Sequence, residues 1–286
     1  MFLGALPIGN SHAVLPRVSP VRRLPYRRAM RIGVAGIAGR MGAQVARHVS
    51  QAGATLVGGT VGGDADEVPG GITVFPTIAA LADACEAIVD FSHADAAEAH
   101  ALACAAAGTA LVLGTTGLTA DTQLCVAAAS QQIPVVQAAN FSPGVVLVEA
   151  LVRQMAAALP AQTHDAEILD MHHRQKRDAP SGTALALGRA VAAGRGADFT
   201  QSAELSREGQ TGPRRPGTIG FATLRGGQVV GEHSVIFAAN DEQIVLTHRA
   251  LDRGIFAAGA VRAALWTQGR APGLYSMMDV LGINDR

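Results

Sequence analysis

Apolar residues in the first half of the chain fall into five short runs separated by helix-length stretches rich in alanine. Apolar runs of this length are typical of buried strands, and their alternation with helices indicates a parallel sheet. The predicted strands cover residues 31–36, 54–59, 87–91, 110–114 and 133–137, and the predicted helices cover 40–51, 94–107 and 119–131. The pattern predicts an α/β fold with a Rossmann-like doubly wound parallel sheet and right-handed crossovers.

After Asn140 the pattern changes to a different order of elements. A helix over 143–158, a strand over 165–172 and a helix over 181–194 are followed by strands over 218–224, 229–238 and 243–248. Turn residues between the last three strands predict an antiparallel meander. The helical pattern over 253–268 is expected to return to the first domain. We therefore expect a discontinuous first domain, 30–141 plus 253–286, and a second α+β domain, 142–252, with an open and mostly antiparallel sheet.

Composition limits the possible partners of this chain. Its 286 residues carry 23 Lys and Arg against 23 Asp and Glu, so no general attraction to nucleic acid or to an anionic membrane is expected. An uncharged stretch, 99–120, is broken by Gly and Thr and does not predict a membrane span. Cys85, Cys104 and Cys125 form no C-x-x-C pair, which argues against a disulfide framework and favours a reducing cytoplasm.

The first 29 residues differ in composition from the rest. They contain four Pro and five Arg, no acidic residue and no sustained apolar period, and Met30 directly precedes the first predicted strand. The short apolar part, broken by Pro, does not fit a secretory signal. We interpret residues 1–29 as a disordered leader or an over-extended start, with a transit peptide as the alternative.

Three glycines, Gly36, Gly39 and Gly42, lie between the first predicted strand and helix in the sequence V-A-G-I-A-G-R-M-G. Glycines at such a turn let the backbone approach a pyrophosphate, whose charge is met by N–H groups at the helix N-terminus. Ala38 occupies the place of the second Gly in the G-x-G-x-x-G fingerprint, so the motif alone is weak. Its position between a strand and a helix favours a dinucleotide cofactor over a purely structural turn.

Two further loops are expected at the same edge of the sheet. Residues 114–117 (G-T-T-G) and 138–142 (A-A-N-F-S) follow the fourth and fifth strands. The end of the second strand has neither the acidic residue typical of NAD sites nor the Arg typical of NADP sites. Asp64 and Asp66 could bind a ribose or be solvated loop charges. Because residues 49–152 contain no Lys or Arg, the sequence favours NADH slightly over NADPH.

Residues 167–184 (E-I-L-D-M-H-H-R-Q-K-R-D-A-P-S-G-T-A) concentrate chemically active side chains before a helix. Lys176 is the single Lys in the chain, beside 22 Arg. A Lys ammonium can be tuned to release a proton, whereas Arg stays charged. Lys176 is therefore a candidate proton donor with His172 or His173 as partner. A charge for an anionic substrate and a solvated basic loop are the alternatives.

The residues that follow suit a bound carboxylate. Ser181, Gly182 and Thr183 open a helix, and hydroxyl groups with free N–H groups are good carboxylate ligands. A metal site is not expected, since His172 and His173 are adjacent and diverge on a strand, and no set of ligands has metal-binding spacing.

The segment 167–184 resembles the signature of the 4-hydroxy-tetrahydrodipicolinate reductase (dihydrodipicolinate reductase) family, E-[IV]-x-E-x-H-x-x-x-K-x-D-x-P-S-G-T-A. It departs from that pattern only at Asp170, where Glu is usual. The resemblance runs from Arg31 to the C-terminus. Further matching motifs are GRMG (39–42), GTTG (114–117), AANFS (138–142), SREG (206–209), PGTIGFATLRGG (216–227) and GEH (231–233).

The resemblance implies hydride transfer from NADH or NADPH to a cyclic imine that bears two carboxylates, in the diaminopimelate route to lysine. It implies that His172 and Lys176 carry the proton chemistry, that the first domain binds the dinucleotide, and that the second domain binds substrate and forms a homotetramer. The implied cofactor residues are Gly36, Ile37, Ala38, Gly39, Arg40, Met41, Gly114, Thr115, Thr116, Ala138, Ala139, Asn140 and Phe141. The implied substrate residues are His173, Lys176, Ser181, Gly182 and Thr183.

Charge distribution adds one expectation, that the cations of 174–177 and 214–215 attract a dianionic substrate. Two other classes of protein remain as alternatives. Another nicotinamide dehydrogenase of aspartate-derived metabolism would share the βα array but lack the H-H-x-x-K…P-S-G-T pattern. A non-catalytic dinucleotide-binding regulator would keep the Gly turn without needing the single Lys beside two His.

Overall fold

The computed structural model describes residues 29–62, 68 and 70–283. In chain order its strands are β1 (Arg31–Ala35), β2 (Thr55–Thr60), β3 (Ala87–Asp90), β4 (Ala110–Leu113), β5 (Pro134–Gln137), β6 (Asp165–His172), β7 (Ala203–Glu204), β8 (Ile219–Arg225), β9 (Gly231–Ala238), β10 (Gln243–Ala250) and β11 (Gly273–Tyr275). Its helices are α1 (Arg40–Gln51), α2 (Ile78–Ala84), α3 (Ala94–Ala107), α4 (Ala120–Ser130), α5 (Pro143–Ala158), α6 (Gly182–Arg195), α7 (Phe199–Ser202), α8 (Gly254–Trp266) and α9 (Met277–Leu281).

The first sheet is parallel throughout, in the order β11-β5-β4-β3-β1-β2. Its central strands are buried on both faces, which explains why they occur in the sequence as continuous apolar runs. One face packs against α1 and α8, and the other packs against α2, α3 and α4. The predicted doubly wound sheet is confirmed. The strand order reverses between β1 and β3, which is where ligands bind in sheets of this kind.

The C-terminal part of the chain packs onto this first sheet. Helix α8 lies against α1, β3 and β4, and β11 pairs with β5. Gly259 of α8 approaches the carbonyl oxygen of Phe141 so closely that an added Cβ would overlap it. The helix is therefore fixed directly against the loop that follows β5.

The second sheet is mixed, in the order β10-β9-β6-β8-β7. Strands β9 and β10 form the predicted antiparallel hairpin, and α5 and α6 pack over the apolar face of the sheet. The predicted hairpin between β8 and β9 is wrong, because β6 lies between them and pairs parallel to β8.

The turn at Gly226 and Gly227 explains why β8 and β9 do not pair as a hairpin. Instead of closing a hairpin, this turn bonds to the chain that leaves β6: Gly226 N donates to His172 O at 2.9 Å, and Arg174 N donates to Gly227 O at 3.3 Å. The connection from β8 to β9 thus passes over the end of β6. That end carries the predicted proton-transfer residues.

Candidate active site

The glycine turn between β1 and α1 has the geometry of a phosphate-binding loop. Gly36 has φ of +71°, and Ile37 N donates to Thr60 O at 2.9 Å, which fixes the turn against β2. A Cβ on Gly42 would overlap Gly36 O and crowd the Ile37 backbone. The close approach of α1 to the turn therefore requires glycine at position 42.

The N-terminus of α1 is open to a ligand. Its N-cap is Gly39, which offers no side-chain hydrogen bond to the first turn. By contrast, Thr119, Ser142 and Ser181 accept such bonds at the starts of α4, α5 and α6. Since the first N–H groups of a helix need partners, the free end of α1 fits a dinucleotide pyrophosphate.

Asp90, at the end of β3, orders the neighbouring loops. The carboxylate is fully buried, accepts hydrogen bonds from Ser92 N at 2.8 Å and Ser92 Oγ at 2.6 Å, and lies 2.7 Å from His100 Nδ1. Thr115 Oγ1 of the predicted G-T-T-G loop lies 3.5 Å away. Burial alone would raise the pKa of Asp90, but the bonds from His100 and Ser92 outweigh it and hold the pKa below its ordinary value.

Asn140 connects the loop after β5 to the second sheet's helices. Its Oδ1 accepts a hydrogen bond from Ser142 N at 2.8 Å, and its Nδ2 donates to Thr183 Oγ1 at 3.2 Å. A predicted cofactor residue and a predicted substrate residue are thus in direct contact.

Two cavities meet around Asn140. One, of about 300 Å³, is lined by Met41, Phe91, Ala139, Asn140, Phe141, His172, His173, Lys176, Thr183, Val230, Arg253 and Phe256. The other, of about 640 Å³, shares Asn140, His172, Lys176 and Thr183 and adds further predicted residues. These further residues are Thr116, Ala138, Ser181 and Gly182.

Every predicted catalytic and substrate residue therefore lines at least one of these cavities. Part of the predicted cofactor set does not line either of them. Gly36, Ile37, Ala38 and Gly39 lie in the turn before α1, Arg40 is the first residue of α1, and Gly114 and Thr115 follow β4. These residues occupy the same edge of the first sheet as the cavity-lining loops.

Lys176 is held by a neighbouring carboxylate. Its Nζ lies 2.8 Å from Asp178 Oδ1, and about a fifth of its side chain is exposed. The hydrogen bond from Lys176 lowers the pKa of Asp178. The Lys176 ammonium therefore lies at the cavity wall, where it offers a positive charge and hydrogen-bond donors to a ligand.

His172 has a buried carboxylate behind it. Its Nδ1 lies 2.8 Å from Oδ1 of Asp170, two residues earlier on β6 and on the same face. Burial would raise the pKa of Asp170, but hydrogen bonds from His172, His233 and Ser181 outweigh it and hold the pKa well below its usual range. Asp170 was visible in the sequence only as a departure from the family pattern.

Arg253 is a cavity residue that the sequence did not single out. It precedes α8, and its Nη2 lies 3.1 Å from His173 Nε2. The sequence contained one indication of a functional role for Arg253. A cation at a helix N-terminus is unfavourable beside the positive end of the helix dipole, so its presence there suggests a function other than stabilising the helix.

The expected role of residues 214–215 in attracting substrate is not supported. Arg214 donates to Asp165 Oδ1 at 2.7 Å and to Glu167 Oε1 at 2.8 Å, and it also donates to the carbonyl oxygens of Ala166 and Thr218. Arg214 is thus committed to ordering the loop before β8. Among the described residues, the cations that line the two cavities are Lys176, Arg189 and Arg253, together with the titratable His172 and His173.

Asp170, His172 and His233 also form a group whose ligand atoms lie within 4.8 Å of one another, as a metal site would require. The Asp170 carboxylate, however, already accepts from Ser181 N at 2.8 Å and from Arg225 Nη2 at 3.2 Å. A bound guanidinium at the same carboxylate favours a hydrogen-bonded network over a cation site.

Asp64 and Asp66, which follow β2, lie outside the described residues. Of the segment 1–29, which we interpret as a leader or an over-extended start, only residue 29 is described. Within the part of the chain that is described, no helix has the length and apolarity to cross a membrane.

A dinucleotide-type turn beside cavities lined by titratable side chains is typical of a nicotinamide-dependent oxidoreductase. Two family models match the chain: dihydrodipicolinate reductase, N-terminus, over residues 30–141, and dihydrodipicolinate reductase, C-terminus, over residues 144–281. The chain belongs to the dihydrodipicolinate reductase family.

Individual relatives agree with this assignment. The chain is 56% identical over 257 residues to the 4-hydroxy-tetrahydrodipicolinate reductase of Granulibacter bethesdensis, covering 90% of this chain and 98% of the relative. It is 58% identical over 255 residues to the enzyme of the same name from Gluconacetobacter diazotrophicus, covering 89% and 98%. Its fold resembles dipicolinate-bound dihydrodipicolinate reductase from Paenisporosarcina sp. TG-14, with a TM-score of 0.74, 21% identity and coverage of 88% and 99%.

The Asp90 cluster predicts a pH dependence of stability. Because the folded-state pKa of Asp90 is depressed, its contribution is present above the unfolded pKa and is lost as the pH falls through the folded pKa. We expect Asp90→Asn to lower the free energy of unfolding at pH 6 by about 2 kcal/mol. Urea unfolding between pH 6 and pH 3 should also show a shallower decline for the variant. The exposed Asp83→Asn on α2 is the control, and parallel curves for Asp90→Asn and the unmodified chain would contradict the prediction.

Proposed function

We propose that this protein reduces 4-hydroxy-tetrahydrodipicolinate to tetrahydrodipicolinate with a reduced nicotinamide dinucleotide, in the diaminopimelate route to lysine. One observation carries the proposal: His172, Lys176 and the start of α6 line the same cavities as the loops that follow β4 and β5. The names of the relatives supply the substrate.

The start of α6 is the carboxylate-binding element in this proposal. Ser181 Oγ accepts a hydrogen bond from Ala184 N, which leaves the N–H groups of Gly182 and Thr183 for a ligand. Thr183 Oγ1 accepts from Asn140 Nδ2, so its own hydroxyl proton is available for a carboxylate oxygen. His173, beside Arg253, faces the same cavity and completes the binding of the dianionic ring.

Loss of the 4-hydroxyl group as water would leave an unsaturated ring, to which a bound reduced nicotinamide would supply a hydride. The ring then requires one proton at the adjacent position. Lys176 Nζ donates that proton, and its positive charge lies beside the substrate's carboxylates. His172 acts through Nε2 as acid and base, since its Nδ1 is turned to Asp170.

The two parts of the chain divide this work. Residues 30–141 with 253–286 bind the dinucleotide through backbone groups of the turn before α1 and of the loops after β4 and β5. Residues 142–252 bind the substrate and form the oligomer. NADH is the favoured cofactor, because at the end of β2 the residues described offer no cation for a 2′-phosphate, which would depend on Arg40 or on a more distant residue.

A homotetramer in the cytoplasm completes the proposal. The face of the second sheet opposite α5 and α6 carries apolar side chains that the described residues leave uncovered: Leu224 and Val245 are about half exposed, and Met171 and Ile236 are partly exposed. β10 is also the edge strand of this sheet. An apolar sheet face of this kind is typical of subunit contacts.

The function is tested by generating the cyclic substrate in situ from aspartate semialdehyde and pyruvate with the preceding synthase. Substrate-dependent oxidation should occur, faster with NADH than with NADPH at equal concentrations. A faster rate with NADPH would overturn the cofactor preference alone. No oxidation with either cofactor, from folded protein that binds NADH, would contradict the proposed function and favour a dinucleotide-binding regulator. Oxidation only with a semialdehyde as substrate would favour another dehydrogenase of aspartate metabolism.

Lys176→Arg separates proton donation from charge. The variant keeps the cation but removes a tunable proton, so we expect kcat to fall by roughly 10²-fold or more. Calorimetric titration should show unchanged NADH affinity. His172→Gln should likewise lower kcat far more than it weakens NADH binding. Near-normal turnover in Lys176→Arg would assign Lys176 to charge alone.

Val245→Arg tests the proposed interface. A charge placed on the apolar sheet face should dissociate the tetramer, and light scattering should report a smaller particle with an unchanged far-ultraviolet spectrum. Leu124→Arg, at a position 70% exposed on α4, is the matched control and should leave the mass unchanged. A tetramer that persists in Val245→Arg would place the interface elsewhere.

A further inference from the structure

Asp170 is a fully buried carboxylate that lines neither cavity, so it can act on the reaction only through other residues. A charge removed from water is costly unless donors surround it. Its partners come from four different parts of the second sheet and its helices: His172 of β6, His233 of β9, Arg225 of β8 and the backbone of Ser181 before α6. One side chain thus connects elements that are far apart in sequence.

One oxygen of this carboxylate faces the imidazole of His172. Oδ1 of Asp170 and Nδ1 of His172 are both buried and lie 2.8 Å apart, the distance of a charge-assisted pair. The pairing leaves Nε2 as the ring nitrogen available to the cavity. A Cβ on Gly231 would lie 3.0 Å from that Nε2, so the glycine keeps the space beside it open.

His233 supports the same carboxylate from the neighbouring strand. It lies opposite Asp170 in the β6–β9 register, and its Nε2 is 3.3 Å from Asp170 Oδ1 and 3.1 Å from Ser181 Oγ. Its ring packs edge-on to His172, with centroids 5.0 Å apart. The position of His172 is therefore limited on two sides.

The other oxygen holds the substrate-binding loop. Oδ2 of Asp170 accepts from Ser181 N at 2.8 Å and from Arg225 Nη2 at 3.2 Å. Arg225 Nη2 also donates to the carbonyl oxygen of Asp178 at 2.7 Å, and Asp178 pairs with Lys176. The chain from Lys176 to the start of α6 is thus tied to the carboxylate that faces His172.

We propose that Asp170 is a positioning residue, which keeps the proton of His172 on Nδ1 and its Nε2 toward the cavity while fixing the start of α6, and that His233 supports it. This inference rests on the proposed function, since it assigns a partner to the acid/base residue of that reaction. A fixed tautomer matters because only one ring nitrogen reaches the substrate. The anion is the necessary feature: a neutral amide at position 170 can turn its NH₂ group toward Nδ1 and select the other tautomer.

The test compares Asp170→Asn with Asp165→Asn, a carboxylate on the same strand that pairs with Arg214 away from the cavities. For Asp170→Asn we expect kcat to fall on the order of 10²-fold, with NADH affinity unchanged and KM raised only a few-fold. Asp170→Glu, which restores the anion and the residue usual in the family pattern, should recover at least tenfold of the lost kcat. Asp165→Asn should retain the turnover of the unmodified chain.

Unchanged kcat in Asp170→Asn would overturn the proposal, because the amide keeps the shape of the side chain and removes only its charge. If Asp170→Asn does not fold, the variant His233→Gln tests the proposal instead. A fall in kcat of about tenfold supports the network, and an unchanged kcat overturns it.

Dipicolinate, the ligand of the structural relative, gives a readout without turnover. Its affinity should fall in Asp170→Asn and not in Asp165→Asn, even if the unmodified chain proved inactive toward the proposed substrate.

Discussion

The burial of the Asp170 carboxylate is the constraint on which the rest of the site depends. An anion without solvent exposure is stable only when its donors are fixed, and fixing these donors sets the positions of His172, of Arg225 and of the start of α6. The proposed acid/base group and the proposed carboxylate-binding helix are therefore not placed independently. A displacement of this one carboxylate would move both of them.

Two sheets contribute to the cavity in different ways. The first sheet offers mainly backbone, with an uncapped helix N-terminus and loops ordered by the buried Asp90. This suits a dinucleotide, whose pyrophosphate is bound by N–H groups and needs no cation. The second sheet offers polar side chains, among them the cation Lys176 and the titratable His172 and His173, which suit a small dianion. The hydrogen bond between Asn140 and Thr183 joins the two halves.

The sequence allowed the first sheet to be predicted well, because its buried strands are continuous apolar runs and its Gly turn has a local signature. It also placed His172, Lys176 and the helix beginning at Gly182 on one segment. The order of strands in the second sheet was not predictable in the same way. A Gly-Gly turn is typical of a hairpin, yet here its backbone groups bond to the chain after β6. The sequence predicts that a turn is present, but tertiary pairing determines which part of the chain the turn bonds to.

Residues that act through long-range contacts were also missed. Arg253 reaches His173 across 80 positions, and His233 reaches Ser181 across 52. Arg214 was interpreted as a substrate cation because nothing local revealed Asp165 and Glu167 as its partners. Spacing along the chain identifies residues that act together on one element. It does not identify pairs brought together by the register of a sheet.

The tautomer of His172 tests the central claim most directly. Nitrogen-15 NMR of the imidazoles in the unmodified chain, with the His172 signals assigned by their loss in His172→Gln, reports which ring nitrogen carries the proton when the ring is neutral. The account predicts a protonated Nδ1 and a bare Nε2, and an altered pattern in Asp170→Asn. A neutral ring with its proton on Nε2 and a bare Nδ1 in the unmodified chain would contradict the account.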